Sequence, residues 1–385
     1  MRCWVLGDDV KLVRETRLST SDDVYVGKVR VHACVCYDFL VSLRALHNPR
    51  TFTRTRRWAA VAKDDLGSAL RPTGQFFFQG FDTALGYGAA RLIDQLPPQG
   101  DPADLIEAVR AADPRRLALL MLDTGETSLE RLERYRGVLG GSGSLDGALT
   151  GLGRGWASRC RRVLAEPALV QAELTELLSG YLSRVYAAVV PLVRQALERA
   201  VSAAESLLGL LSTVDAIEQL TGGYTLGRDL GLRSITLAPS PSIYPFMSTR
   251  IDELSKEALV IYGVPSAIFA SYDTVPIERN LADALRALAD PNRLTTLGLL
   301  AQRPMYTTEL VEALRLSQPT VHYHLTQLRA AGLVRQRRDK GGMRYSIRHD
   351  STVQILQSLE ALILGGSRCP AEGGNSRERT ANETR

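Results

Sequence analysis

From Pro276 to Arg348 the chain follows a pattern so regular that few folds can accept it. Ile277, Leu281, Leu285 and Leu288 step by four, four and three, which places them on one face of a helix. Asp290 followed by Pro291 predicts the cap and first turn of a second helix, with Leu294, Leu297 and Leu300 inside. Thr307 or Thr308 is the expected cap of a third, short helix through Glu309, Leu310, Val311 and Leu314, and Ser317 of a fourth. In that fourth helix, SQPTVHYHLTQLRAAG, the residues Val321, Leu325 and Leu328 form the buried stripe and Gly332 ends it. Two strands are then expected, Leu333 to Arg338 and Arg344 to Arg348, around the turn Asp339, Lys340, Gly341, Gly342.

The stripe leaves Gln318, Thr320, His322, Tyr323 and Gln327 on or beside the outward face of the fourth helix. These hydrogen-bonding side chains have the lengths needed to reach base edges and phosphates in a major groove, and the helix N-terminus favours a phosphate. Arg337, Arg338, Lys340 and Arg344 cluster at the hairpin tip, where they are expected to grip phosphates or an adjacent minor groove. Ser317 and Arg329 complete the expected DNA-contacting set. Charge follows the same division. Asp290 to Arg348 holds ten basic and four acidic residues, a net +6, so the rest of the chain carries about −1 of the total of +5.

The remaining residues read as a mostly helical companion, giving an α+β chain with a large helical amino-terminal domain and a few short strands. Residues 1–21 have no clear period and read as a loose arm. Apolar alternation from Val24 to Val35 predicts a strand with a bulge near Gly27, followed by a helix with Phe39, Leu40, Leu43 and Leu46 on one face, stopped near Asn48 and Pro49. Between Thr53 and Leu220 the period is helical, with breaks at Pro97 to Pro102, at Pro114 and across Gly137 to Gly155. Residues 232–264 turn β-branched and aromatic, which predicts two or three strands returning to the first. The expected domains are 22–274, with its end near Tyr272 to Pro276, and 275–365, with a disordered tail over 366–385.

Residues 280–350 resemble the ArsR-type winged helix-turn-helix family throughout: LADPNRLTTLGLL, then ELVEALRLSQPTVHYHLTQLRAAGLV, then the glycine-tipped hairpin. The resemblance covers roughly a fifth of the chain. It implies a transcriptional repressor that binds double-stranded DNA at a near-palindromic operator. It also implies a homodimer formed through the flanking helices, here Pro276 to Ala289 and Asp350 to Leu364. The longer layout resembles actinobacterial-style regulators with such a reader behind a large uncharacterised amino-terminal domain. Metal-sensing members carry a Cys-Val-Cys pair where this chain has Glu309-Leu310-Val311-Glu312. A second family site, in the last helix, needs acidic and His ligands; here His349 and Asp350 stand at its start with no second His. The signal is therefore expected to enter through the first 270 or so residues, a small-molecule effector being one route.

Other features compete for a function. His32, Cys34 and Cys36 alternate on the expected strand, so three metal-ligating groups would share one face, with Cys3 or His47 as a fourth; packing of small cysteines under helices is the favoured alternative. GVLGGSGSLDGALTGLGRGW lacks the preceding strand, the GKS or GKT ending and the Rossmann spacing of a phosphate loop, and reads as a flexible connection. Arg50, Arg54, Arg56 and Arg57 before Trp58 read as a solvated basic loop, with added DNA contacts as the alternative. An enzymatic body is the alternative function, yet only His32 and His47 precede Pro276, and neither a nucleophile elbow nor a cofactor loop accompanies them, so neither an enzyme nor a cofactor is expected. Five scattered cysteines fit a reducing cytoplasm. The stretch Tyr181 to Leu211 is too interrupted by charge to span a membrane and reads as an amphipathic helix pair.

Overall fold

The structure is a computed structural model that describes residues 23–364 except 81–83, 98–99, 125–126, 253–254, 267 and 269–278. The expected arm over 1–21, Cys3, the boundary near Tyr272 to Pro276, Ile277 and the tail over 366–385 lie outside the described residues.

The body opens with β1 (Val29–Val31) and α1 (Val35–His47). Helices α2 (Arg56–Leu66), α3 (Arg71–Phe78), α4 (Pro102–Ala111), α5 (Pro114–Leu122), α6 (Leu129–Leu139) and α7 (Leu145–Leu149) follow, and a 3-10 stretch over Leu85–Gln95 separates α3 from α4. Then come α8 (Arg154–Ala165), α9 (Pro167–Arg184), α10 (Val190–Leu210) and α11 (Thr213–Thr221). The prolines that interrupt the helical text are starts: Pro102, Pro114 and Pro167 each occupy a first turn, where a missing N–H costs nothing. Asp101, Asp113, Ser128, Ser144 and Ser212 accept from backbone N–H groups and cap their helices. The glycine-rich stretch is more ordered than a flexible connection, because it holds the end of α6, all of α7 and the start of α8.

Every residue of α1 is buried, wrapped by α2, α3, α4, α10 and β3. Asp38, fully buried within it, accepts from the Ser240 and Ser242 hydroxyls, the Ser242 N–H (2.9 Å) and the Tyr186 hydroxyl (2.8 Å). Burial raises its pKa despite these donors. The network fastens the start of α1 to the segment that leaves the central sheet.

That sheet has the order β1-β3-β5-β4, with β3 (Ser234–Ser240), β4 (Met247–Asp252) and β5 (Glu257–Gly263). β1 and β5 both run parallel to β3, and β4 is antiparallel to β5. Late strands do return to the first one. The first strand itself is shorter than its alternation suggests: residues 24–28 form turns, Gly27 adopts φ +72°, and Val35 already belongs to α1.

The carboxyl-terminal unit contains α12 (Arg279–Leu288), α13 (Pro291–Gln302), β6 (Met305–Tyr306), α14 (Thr307–Leu314), α15 (Gln318–Ala330), β7 (Val334–Asp339), β8 (Gly342–Ile347) and α16 (His349–Leu364). Its core gathers Leu300, Leu310, Val321, Leu325, Leu328, Val334 and Tyr345. A strand of the body, β2 (Tyr224–Leu226), pairs in parallel with β7 to complete a second sheet, β2-β7-β8-β6. The segments before and after residues 269–278 therefore share a sheet.

Candidate nucleic-acid interface

Asp290 caps α13, accepting from Asn292 N (2.9 Å) and Arg293 N (3.1 Å), with Pro291 in the first turn. For α14 the expected threonine cap is replaced by Tyr306. Its backbone N–H donates to Glu309 Oε2 at 2.6 Å, and both Thr307 and Thr308 lie inside the helix. That bond, with Arg303 beside it, holds the Glu309 carboxyl below the usual range. Ser317 caps α15 through Thr320 N.

At its other end α15 stops on Gly332, φ +75°. Gly332 N donates to Arg329 O (2.8 Å) and Leu333 N to Leu328 O (3.0 Å), and Leu328 packs with Leu333 in the core. This is the bonding of a Schellman motif, which needs a left-handed residue where only glycine sits without strain. It delivers Val334 directly into β7.

The side chains of α15 divide into three faces. Val321, His324, Leu325 and Leu328 are buried in the reader core. Gln318 and Tyr323 are exposed, the latter at 48 %, and Thr320 and Gln327 are half-buried. His322, Thr326 and Arg329 turn toward the body and line a cavity of about 200 Å³ between the two units. Arg329 thus departs from the expected DNA-facing set: it is 5 % exposed, and its Nη1 donates to Thr221 O at 3.4 Å. Burial lowers its pKa to about 10.

In the hairpin, a two-residue loop of Lys340 and Gly341 joins β7 to β8, and Gly342 takes φ +123°. Arg337 and Arg344 stand opposite one another and are exposed, as is Lys340; the Arg344 guanidinium lies 5.7 Å from the Tyr306 ring centre. Arg338 alternates to the other face, the one shared with buried Tyr345, and pairs across the strands with Met343 and with Leu226 of the body. It is half-buried, so the tip presents three cations outward where the sequence pattern suggests four.

Residues that the sequence pattern does not single out hold this hairpin. Gly227 N donates to Arg338 O (2.7 Å) and Gln336 N to Gly223 O (2.8 Å). Arg335 Nε reaches Glu218 at 2.7 Å, and Lys340 N donates to Asp229 Oδ2 at 2.7 Å. The signal in GGYTLG is only three residues of strand between glycines, too short for a period to register.

The upstream candidates do not form the arrangement expected of them. His32 lies in a loop, Cys34 precedes α1 and Cys36 is inside it, so the three do not alternate on a strand. The two thiols sit 3.7 Å from the Gly100 carbonyl oxygen, and the His32 ring packs edge-on against Tyr37. Among the described residues no group of three or more His, Cys, Asp or Glu side chains converges as metal ligands would. Arg54 is held by Asp283 of α12 at 2.5 Å and covers the Tyr244 ring, which removes it from a basic DNA-facing loop. No helix among the described residues is long and apolar enough to cross a membrane.

A capped polar helix on a three-helix scaffold, followed by a cationic hairpin, defines a winged helix-turn-helix regulator of the DNA-binding kind. The comparisons with known proteins agree. Residues 290–336 match the family model described as bacterial regulatory protein, arsR family. The arsenical resistance operon repressor of Staphylococcus aureus is 31% identical over 91 residues, which is 24% of this chain and 88% of that protein. The probable mercury resistance operon repressor of Streptomyces lividans is 34% identical over 95 residues, 23% of this chain and 76% of that protein. The crystal structure of NolR from Sinorhizobium fredii, 33% identical, covers 23% of this chain and 97% of its own, with a TM-score of 0.19. The chain belongs to the arsR family of bacterial regulatory proteins, with a large body ahead of the matched segment.

Proposed function

We propose that the chain is a homodimeric transcriptional repressor that reads a pseudo-palindromic operator through α15 and the hairpin, while the body receives the controlling signal. The observation that carries this reading is a polar, solvent-accessible side of α15, with Gln318, Thr320, Tyr323 and Gln327 beyond the Ser317 cap, together with the exposed cations Arg337, Lys340 and Arg344 on the wing. The helix side chains would meet base edges and its N-terminus a phosphate, and the wing would add backbone contacts. His322 joins this set only if it leaves the cavity.

Dimerisation is supported by α12 and α16, which pack together and leave Val353, Leu356, Ile363 and Leu364 of α16 exposed. An apolar row on the last helix is a surface suited to a second copy. Footprinting of the full chain across its own upstream region tests the reading. Two protected half-sites about one helical turn apart are expected. Tyr323→Ala with Gln327→Ala should erase the preference for that site over random duplex while retaining weak general binding. Equal loss on both duplexes would show that these side chains do not read sequence.

A further inference from the structure

We propose that a compact carboxylate with an apolar body binds in the cavity between the body and α15, and that its occupancy opposes DNA binding. The second half rests on the reading of α15 as the DNA-reading helix; the first does not.

The cavity is built from both units. Arg44 of α1, Met121 of α5 and Arg250 of β4 face it from the body, and His322 and Arg329 of α15 and Tyr345 of β8 face it from the reader. Its charge is lopsided. Three guanidinium groups line it against one carboxylate, Asp123, and that carboxylate is already ion-paired with Arg91. Arg329 is buried with a single long hydrogen bond to a carbonyl oxygen, and no carboxylate pairs with it among the described residues. The Arg250 side chain has no hydrogen bond or ion pair among the described residues; burial and Arg91 depress its pKa, and the carboxylates of Asp123, Asp252 and Asp94 oppose them without overcoming them.

A buried cation with no carboxylate against it, as Arg329 is, raises the energy of the fold, and an anion placed beside it and Arg250 lowers that penalty. Arginine's planar fork matches a carboxylate bidentately. The rest of the lining, including Met121, Ile261 and Tyr345, suits an apolar remainder. At about 200 Å³ the space is smaller than the roughly 300 Å³ at which drug-sized pockets begin, so a single-ring or short-chain acid is the fitting size.

A ligand touching both units stabilises the docked arrangement, in which His322, Thr326 and Arg329 face the body. DNA that engages His322 favours the opposite arrangement. By linkage, the acid weakens DNA by the same factor that DNA weakens the acid.

The test uses the full chain, titrated calorimetrically with benzoate, 4-hydroxybenzoate, phenylacetate and hexanoate, with benzamide and inorganic phosphate as comparators. At least one acid should bind saturably at one per chain, and benzamide and phosphate at least tenfold more weakly. Arg250→Gln should weaken the acid at least tenfold, and Thr326→Phe, which fills the cavity from the reader side, should abolish binding; either variant decides the matter if the other fails to fold. Binding by none of the four acids, or binding indifferent to both variants, overturns the site. Phosphate binding as tightly as the best acid overturns the apolar part of the assignment. Anisotropy of a labelled duplex then reads the coupling: the bound acid should weaken duplex affinity at least tenfold, and an unchanged affinity overturns the opposition. If the duplex never binds while the acid binds and both variants lose it, the DNA reading fails and the site stands.

Discussion

The hairpin makes a quantitative demand on salt dependence. Replacing Arg337, Lys340 and Arg344 together with Ala removes the three exposed cations of each wing, while Arg338 is left in place because it lies half-buried against the body strand. Each phosphate that is no longer neutralised changes the slope of log affinity against log salt by about 0.9. If the proposed dimer engages DNA with both wings, they account for a slope of about 5, worth a factor of roughly a thousand in affinity between 50 and 200 mM salt. Fluorescence anisotropy with a duplex carrying the footprinted site, and with a random duplex, measures both slopes. The same change is expected on both, since phosphate contacts carry no sequence information. A slope change near half that size would mean that one wing engages per complex. A change below about 1 would refute the assignment of the hairpin as a phosphate grip. Arg338→Ala alone should leave the slope nearly unchanged.

Other perturbations follow from the packing. Thr225→Pro interrupts the short β2 strand, and hydrogen exchange at the Gln336 amide, which donates to Gly223 O, should accelerate about tenfold or more while the core of α1 is unaffected. Asp38→Ala strands the Ser240, Ser242 and Tyr186 donors in the interior; chemical denaturation should show a loss of about 2–4 kcal/mol, and a loss below ~1 would mean water replaces the carboxylate. Burial lowers the His47 pKa to about 4, with Lys63 contributing. The native state therefore resists a proton that the unfolded chain accepts below about 6.5, so this contribution to stability is intact above that pH and falls by about 1.4 kcal/mol per unit as pH drops from 6.5 toward 4. Thermal melts of His47→Gln should show a shallower decline across that window than the parent chain. Leu356→Glu with Ile363→Glu should convert a dimer to a monomer by sedimentation, and an unchanged mass would place the dimer contact elsewhere.

The reader is legible in the sequence because its instructions are local. Ser317 and Gly332 bracket α15 through bonds to residues within five positions, and Val321, Leu325 and Leu328 repeat at helical spacing, so a one-dimensional reading finds them. Cys34 and Cys36 show the opposite case. Alternation continues smoothly from Val29 to Val35, yet the chain becomes helical at Val35, where burial on all sides and the buried bonds of Asp38 outweigh the local period. Arg329 and Arg338 mislead a sequence reading for a related reason. Each is basic and beside an element proposed to read DNA, but the residues that cover them, Thr221 and Leu226, lie more than a hundred positions upstream.

That distant coverage bears on how such a regulator could be controlled. A hinge alone would let the body move without consequence for the reader. Here β2 adds to the wing sheet in register, Tyr224 opposite Gln336 and Leu226 opposite Arg338, and α11 leads into β2 through Gly222 and Gly223. Glu218 on α11 also holds Arg335. Any shift of α11 against the body core must therefore either carry the wing with it or break the pairing. Met343 of β8 packs against both the reader core and the body core that contains Tyr224, Ile235 and Val260, so the hairpin is braced on its inner face as well. Closely packed cores move between discrete arrangements more readily than they deform. A signal acting on the body would thus have a direct mechanical path to the wing through β2 and Glu218.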